Sequence, residues 1–473
     1  MYTVYTYQDW LATPETDRLD LLLRIVESYK TSDDCKMALE AAAYYAGENV
    51  ELSKKAVMQP VKFEVKDRET GEVTRSLGQK EIQGAHVYSN FFFRFVNQQN
   101  QFLLGNGVTL SDEATKARLG LGFDHALEQA GERALIQGVC WGFWNVDHLE
   151  VIEAVKDKLS GFVALMDEET GEAAVGIQYW QIDGKRPLYI RLFEVDGVTV
   201  FRKHEGALTV HREKQAYRMT VARDAAGPIV TDASNYAALP LIPLYANTEQ
   251  RSELTQAVKS KIDAYDRISS DFVDNLDRAN DVYWVLNNFG GSTADMLEMI
   301  EQINRLRIVA NMSDGMGSSS VAEPHAFEVP YEARQTALAL LEKALYKDFL
   351  ALSMDEITGG SLTNVAIQAA MTNLNLKCDR YEWQCFRFVQ RVLALIGVDT
   401  EEISFKRQAI LNRSEIVDDI VKMRDYIDIE TALEINPYIM QEQIGEILRN
   451  VAAEQVAGLP SMQQLEAVAR EDE

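Results

Sequence analysis

Apolar positions along the chain recur with two different periods, and the change from one to the other divides it. Over 15–58, in DRLDLLLRIVESYK and CKMALEAAAYYAGENVELSKKAV, apolar residues stand three and four apart, the spacing of helices with one buried face. HVYSNFFFRFVNQQNQFLLGNGVTL, 86–110, keeps that spacing until Gly105 and Gly107, and FDHALEQAGERALIQG, 123–138, predicts a further helix. From about 139 to 235 the pattern shortens. Segments such as PLYIRLFEV and VTVFRKH are separated by Asp183-Gly184, Asp196-Gly197 and Glu205-Gly206, dipeptides that join hairpin strands, so an antiparallel sheet is expected. LPLIPLYAN, 239–247, is expected to be extended, because Pro240 and Pro243 disfavour helix in the residues before them.

The strongest helical pattern comes next. Leu254, Val258, Ile262, Tyr265, Ile268, Phe272 and Leu276 form one stripe along a predicted helix over 251–280, roughly 45 Å long at 1.5 Å per residue. Charged residues occupy its other faces: Lys259, Lys261, Asp263, Asp266, Arg267, Asp271, Asp274, Asp277 and Arg278. One narrow seam suits packing on a partner helix with one side in water. DVYWVLNNFGG, 281–291, reads as a strand ending in a Gly-Gly turn. STADMLEMIEQINRLR reads as a helix capped by Ser292, and IVANM and HAFEVP as short strands about a DGMGSSS loop. Residues 281–330 are thus a small α/β insert. A second strong helix is predicted over 331–352, with Ala337, Leu338, Leu341, Ala344, Leu345 and Leu352 on its apolar face. After a loop, SMDEITGGS, a helix of about 35 residues is expected over 363–397, against a mean of ~11–12. Met371, Leu374, Leu376 and Phe386 read as its core positions. The C-terminal part reads as a helical cluster, with Ser414 as one cap and Asn436-Pro437 as an N-cap–N1 pair.

Composition narrows the function. Of 473 residues, 47% are hydrophobic and 25% charged, values of a folded protein. Forty-seven basic against 73 acidic residues leave a formal charge of −26, which argues against a protein that grips nucleic acid over its whole surface. A single local surface is free to differ. Four scattered cysteines without a CxxC pair suggest thiols in a reducing compartment. MYTVYTYQDW has no signal-peptide pattern, and no apolar run approaches the ~18 residues that span a bilayer. A soluble chain assembled in a cytoplasm, with no membrane partner, is expected.

Catalytic motifs are lacking. There is no GxxxxGKS/T, HExxH or GxSxG, and GNG at 105–107 and GLG at 120–122 read as helix ends, not as a dinucleotide site. His204 and His211 flank one hairpin without metal-ligand spacing. Asp33-Asp34 and Asp418-Asp419 read as solvated helix faces, and the aromatic CWGFWNVDHLEV, 140–151, as core. No catalytic, cofactor or metal site is expected. Two other classes stay open: an acidic metal-dependent hydrolase with carboxylate ligands, and a helical scaffold or adaptor.

The order of elements carries more information than any motif: a helix leads into a small α/β insert, returns on a second helix, and meets a glycine-bearing loop before a very long helix. This resembles the portal proteins of tailed bacteriophages, particularly those of long-tailed phages of Gram-positive hosts. The most specific stretch is LIPLYANTEQRSELTQAVKSKIDAYDRISSDFVDNLDRANDVYWVLNNFGG, 241–291, where a proline-flanked extended piece and an Asn precede Ser-x-Leu and an Ile-Asp-Ala-Tyr-Asp core. YYAGENV, FVNQQNQFLLGNGVTL and DIETALEINPYIMQEQIGEILRNVAAEQ are also similar, so the resemblance covers roughly 35–455. SLTNVAIQ, 361–368, departs from it: Asn364 stands where a glycine is common and Ile367 replaces a leucine.

The resemblance implies a mainly α subunit with α+β parts, built as wing, stem, clip and crown, with long helices lining a central channel. Residues 1–250 and the long helix 363–410 would be the wing, 251–280 and 331–352 the stem, 281–330 the clip, 353–362 the tunnel loop and 411–473 the crown. Such subunits form a ring, dodecameric in the particle, at one capsid vertex of the virion. Double-stranded DNA enters and leaves through it. Large terminase, a separate ATPase, and later head-completion proteins would dock on the clip, and scaffold and major capsid protein would be assembly partners. Ser353, Met354, Asp355, Glu356, Ile357, Thr358, Gly359, Gly360 and Ser361 would form a gate at the DNA. Asn287, Asn288, Phe289, Gly290 and Gly291 would contact clip partners. A conduit must let DNA slide, so basic residues at its wall should be few, since each neutralised phosphate adds affinity. Lys343 and Lys347, four apart and therefore on one face, are candidates; pairing with carboxylates at a subunit boundary is the alternative.

Overall fold

The computed structural model describes residues 3–54, 56–66, 73–204, 206–224, 227–279, 282–286, 322–326, 331–353, 364–398, 402–407, 420–423, 428–435, 445 and 447–450. The chain divides into two compact units, 1–351 with 378–407, and 352–377 with 408–473. The first holds most of the described structure.

It begins with helices α1 (Tyr7–Ala12), α2 (Arg18–Thr31) and α3 (Asp33–Tyr45). Leu21, Leu22, Ile25, Val26 and Tyr29 make the buried face of α2, and Ser32 caps α3 by accepting the Cys35 N–H at 3.2 Å. The expected helix does not run on to 58. Asn49 turns the chain, its Oδ1 accepting the N–H groups of Glu51 and Leu52 at 3.1 and 3.0 Å. A hairpin comes after it, β1 (Ala56–Lys66) and β2 (Val73–Gln83), in register from Ala56↔Gln83 to Lys66↔Val73. Residues 84–90 belong to no helix or strand, so α4 (Phe91–Leu104) starts later than its apolar pattern suggests. Then come β3 (Val108–Leu110), α5 (Glu113–Arg118) and α6 (Phe123–Gln137). GNG and GLG lie in the turns after α4 and before α6, as read from the sequence.

The strand-rich region is β4 (Val139–Asn145), β5 (His148–Glu153), β6 (Val155–Asp157), β7 (Ser160–Met166), β8 (Ala173–Trp180), β9 (Tyr189–Glu194), β10 (Gly197–His204), β11 (Ala207–Gln215), β12 (Arg218–Asp224), β13 (Gly227–Ser234) and β14 (Leu241–Tyr245). β6 to β11 form a six-stranded antiparallel meander in sequence order, β12 and β13 a hairpin, and β14-β4-β5 a three-stranded sheet. Asp183-Gly184 and Asp196-Gly197 fall at turns between strands, as does Gly206 of the third dipeptide, whose Glu205 lies outside the described residues. Pro243 is tolerated in β14 because that strand is an edge. Cys140, Trp141, Phe143 and Trp144 of β4 are core, as expected. One face of the meander packs on α2 and α3 through Val175, Ile177, Tyr179, Ile190, Leu192, Phe201 and Leu208. With this much sheet the fold is mixed α and β, where the sequence reading was mainly α.

Next stand α7 (Gln256–Ala279), the pair β15 (Val282–Leu286) and β16 (Ala322–Ala326), and α8 (Tyr331–Phe349). The strand expected at HAFEVP, 325–330, overlaps the described strand 322–326, and 327–330 lie outside the described residues, as do the helix and strand expected between 292 and 312. α9 (Asn364–Leu395) runs unbroken for 32 residues, roughly 48 Å. Tyr381, Cys385, Phe388, Val389 and Val392 join the core of the first unit. In the second unit Met371 and Leu374 are buried, but Leu376, expected as core, is 58% exposed: it lies two residues from Leu374, most of a half-turn round the helix. β17 (Ile403–Phe405) pairs with β3, and α10 (Ile429–Ile435) ends the labelled elements. Ser414 and Asn436-Pro437 lie outside the described residues.

Candidate functional site: the helix pair α7 and α8

α7 and α8 pack together with opposite directions, and side-chain contacts fix both ends of their overlap. Lys261 of α7 is ion-paired with Asp348 near the end of α8, and Phe272 lies against Tyr331 at the start of α8, ring centroids 5.8 Å apart. The root of the pair is aromatic. Phe91 and Phe95 of α4 meet Tyr265 of α7 at 5.0 Å and Tyr346 of α8 at 6.4 and 5.2 Å, and Phe95 stacks on Phe349 at 4.7 Å. Val258, Ile262, Leu345 and Phe349 are buried there. Towards the other end the cover thins: of the α7 stripe Ile268 and Phe272 are half-buried and Leu276 is 46% exposed, and Tyr331 at the start of α8 is 56% exposed. The stripe read from sequence therefore runs from a buried root to a partly exposed far end.

Four residues after Ile262 the buried row of α7 turns polar. Asp266 and Ser270 are buried, and with Asp274 they form a ladder against the segment 84–90, which is neither helix nor strand. Asp266 accepts the N–H of Ser89 at 2.9 Å, Ser270 Oγ that of Val87 at 3.0 Å, and Asp274 that of Ala85 at 2.8 Å. The pitches agree: four helical residues rise roughly 6 Å and two extended residues roughly 6.6 Å. Helix side chains replace a neighbouring strand, so this backbone is satisfied without a sheet. Burial pushes the Asp266 carboxyl above its ordinary pKa, against hydrogen bonds from Ser89 and Asn49 that lower it.

Asn49 joins this ladder to α3. Its Nδ2 donates to Asp263 at 3.1 Å and to Asp266 at 2.9 Å, while the Tyr44 hydroxyl also donates to Asp263 and Lys259 pairs with Glu40 at 2.8 Å. Tyr44 and Asn49 are the working residues of YYAGENV. The motif before α7 also has a mechanical content. Asn247 closes a turn by accepting the Arg251 N–H at 3.0 Å and donating to the Arg251 carbonyl at 2.8 Å. Gly138, at φ +92 after α6, lies against that turn; a Cβ there would stand 2.7 Å from the Gln250 carbonyl oxygen. The only sign of the ladder in the sequence is a polar row, 266, 270, 274, in phase with the apolar one.

α8 ends on a paired turn. Ala351 N–H donates to the Tyr346 carbonyl at 2.9 Å and Leu350 N–H to that of Lys347 at 3.2 Å, with Leu350 left-handed at φ +60. Helix α8 thus stops at Phe349, short of the 352 expected. Lys343 and Lys347 are exposed on α8. Ser353 is half-buried after the turn; Met354 to Ser361, and Asn287 to Gly291, lie outside the described residues.

A cleft of about 130 Å³ beside α7 is lined by Asn49, Glu51, Leu52, Asp263, Arg267 and Asp271. Substrate pockets are typically ~300–1,000 Å³. Asp33 pairs with Lys36 at 3.0 Å, and Asp418-Asp419 lies outside the described residues. Among the described residues no three His, Cys, Asp or Glu side chains are grouped for a metal, and no helix is long and apolar enough to cross a membrane.

A helix pair rooted in an aromatic base, with exposed apolar side chains along it and no grouped metal ligands among the described residues, reads as a structural element. The family described as "Phage portal protein, SPP1 Gp6-like" matches residues 38–457, and the chain belongs to it. It is 26% identical to the portal protein of Clostridium phage phiCD119 over 227 residues, 46% of this chain and 49% of that one. It is 24% identical to the portal protein of Bacillus phage SPP1 over 384 residues, 75% and 73% of the two chains. The match thus spans about half the length of the first relative. The family is structural, not enzymatic; its members stand at a capsid vertex of the virion, and membership implies an oligomeric ring and passage of DNA.

Proposed function

We propose that the chain is the subunit of a ring, dodecameric in the particle, through which duplex DNA is packaged and later ejected. The family match over 38–457 carries this reading. α7 and α8 are its stem, the β15–β16 insert its clip, and 353–362 its tunnel loop. The clip, with Asn287 to Gly291, receives large terminase and afterwards head-completion proteins; scaffold and major capsid protein guide assembly.

Charge on the stem supports a conduit. α7 and α8 carry seven basic and eight acidic residues, so the acidity of the chain is concentrated elsewhere. α8 is roughly 28 Å long, a length over which a duplex presents roughly 16 phosphates. A near-neutral wall neither holds nor expels them strongly. Lys259 and Lys261 are neutralised by Glu40 and Asp348; of the five basic residues that remain, Arg267, Arg278, Arg334, Lys343 and Lys347, the two lysines stand four apart on one face of α8 and are taken as rings of positive charge in the bore. End-on electron microscopy of the purified protein tests the ring: closed rings with a hole wide enough for a duplex are expected. A chain that stays monomeric even with scaffold and capsid protein refutes it. Given rings, Lys343→Glu with Lys347→Glu should slow packaging without preventing assembly; unchanged packaging removes the two lysines from the bore.

A further inference from the structure

The meander β6–β11 has a second face. At one end it is covered, where Phe193 and Phe162 pack against Phe143 and Trp141 of β4. At the other end lies a lattice of rings and guanidinium groups. Trp180 of β8 is in register with Tyr189 of β9 and stacks on it at 5.5 Å and 11°; Tyr189 is in register with Arg202 of β10. In the next row Gln178, Arg191 and Val200 stand side by side, and Val200 faces Arg212 of β11. Arg191 lies over Trp180 at 5.8 Å and Arg202 over Tyr189 at 5.9 Å. A bulge at His211, between the pairs Val200↔Arg212 and Phe201↔Val210, lets His211 reach the Tyr189 ring at 5.4 Å on the face that Arg212 shares.

These arginines lack what arginines in an acidic protein usually have. None of Arg191, Arg202 and Arg212 forms an ion pair among the described residues, whereas Lys203 and Lys214 beside them pair with Glu27 and Glu194. Arg202 Nε is buried and without a hydrogen-bond partner. Burial pushes Arg191 below its ordinary pKa, and Arg212 adds to that while Glu150 opposes it. Residues 173–215 hold seven basic and five acidic residues, in a chain whose net charge is −26.

We propose that this end of the sheet is a docking surface for a second copy of the chain, whose carboxylates engage Arg202 and Arg212. The inference rests on the ring reading. Copies this acidic repel one another, and a ring contact joins two different patches, so a basic patch facing an acidic one lowers the cost of closure. The planar arginine fork matches a carboxylate. Stacking of nucleic-acid bases fits less well, because the aromatic faces are already taken by each other and by guanidinium groups.

Phenylglyoxal footprinting of the full chain, dilute and assembled, tests this. Arg202 and Arg212 should react in the dilute chain and be protected in rings. Arg212→Glu, and separately Arg202→Gln, should retain the wild-type circular dichroism yet need roughly 30-fold or more protein to assemble, the loss when one partner of a buried charge pair is removed. Rings in which both arginines stay reactive, or variants that assemble like wild type, overturn the inference alone. Protection of the dilute chain by added duplex DNA overturns it in favour of phosphate. Failure to form rings at any concentration overturns both it and the ring reading.

Discussion

Ser270→Ala tests the ladder between α7 and the segment before α4. Ser270 is wholly buried, and its hydroxyl does two things: it accepts the Val87 N–H at 3.0 Å and donates to the Asp266 carbonyl at 2.7 Å. The carbonyl keeps its place in the helix without it. The Val87 N–H loses its acceptor; Val87 is itself 38% exposed, so water replaces part of the bond and the cost falls towards the low end of the about 1–3 kcal/mol of an unsatisfied buried donor. Alanine returns roughly 0.5 kcal/mol as the better helix former. The net loss is therefore about 0.5–2.5 kcal/mol, and it should appear locally first. Amide hydrogen exchange with residue resolution reads it directly. Protection of Val87 should fall roughly 2- to 60-fold, the same energy expressed as an opening constant, with smaller losses at Ala85 and Ser89. Leu103, deep in α4, should not change. Unaltered protection at Val87 refutes the ladder; an equal loss throughout α4 refutes its being a separate device.

Three further outcomes are expected from the same geometry. Gly138→Ala should lower the urea midpoint sharply: the left-handed backbone alone costs a non-glycine residue about 1–3 kcal/mol, and the added carbon meets backbone of the Gln250–Arg251 turn, which has no side chain to swing aside. Asp266→Asn should change the pH dependence of stability. The folded carboxyl has a raised pKa, so the folded state binds its proton more tightly than the unfolded chain, and this residue costs stability as pH rises from the ordinary carboxylate range through the raised value. Urea midpoints should therefore shift in favour of the Asn variant across that window and level off above it; a difference independent of pH contradicts the assignment. Leu350→Gly should raise the midpoint slightly, because left-handed leucine costs roughly 1–2 kcal/mol and glycine gives back roughly 0.5–1 kcal/mol of that through the unfolded chain.

Period and turn chemistry carried much of the fold into view. The apolar stripes of α2, α6, α7 and α8, the strand region from 139 to 235 and the turns at Asp183-Gly184, Asp196-Gly197 and Gly206 arise from local pattern. The misses differ in cause. Where 84–90 stays out of α4, its N–H groups are taken by distant side chains, Asp266, Ser270 and Asp274, and no window along the chain contains both partners. The turn before β1 is local: Asn49 takes the N–H groups of Glu51 and Leu52, two and three residues on. Leu350 gave no warning either, since helices that stop in this way mostly use glycine. Of the site, the helix pair was legible from its stripes. The arginine lattice of β8 to β11 was not, because it depends on register and on a bulge at His211 that reading along one strand does not reveal.

The root and the far end of the helix pair divide two tasks. At the root, α4 holds α7 and α8 through four aromatic contacts, and Asn49 and Tyr44 tie α7 to α3. Sliding α7 by one turn would break three ladder bonds and move the hairpin β1–β2 with it, so the pair behaves as a rigid strut. At the far end Leu276 and Tyr331, and midway along α8 Leu340, leave apolar surface in water, an association hazard for a solitary chain. In the proposed ring, neighbouring copies would cover this surface. The strut ends where α8 ends. The left-handed position at Leu350 marks that boundary: before it the backbone is over-determined by packing, and after it the chain enters the loop that the ring reading sets nearest to DNA.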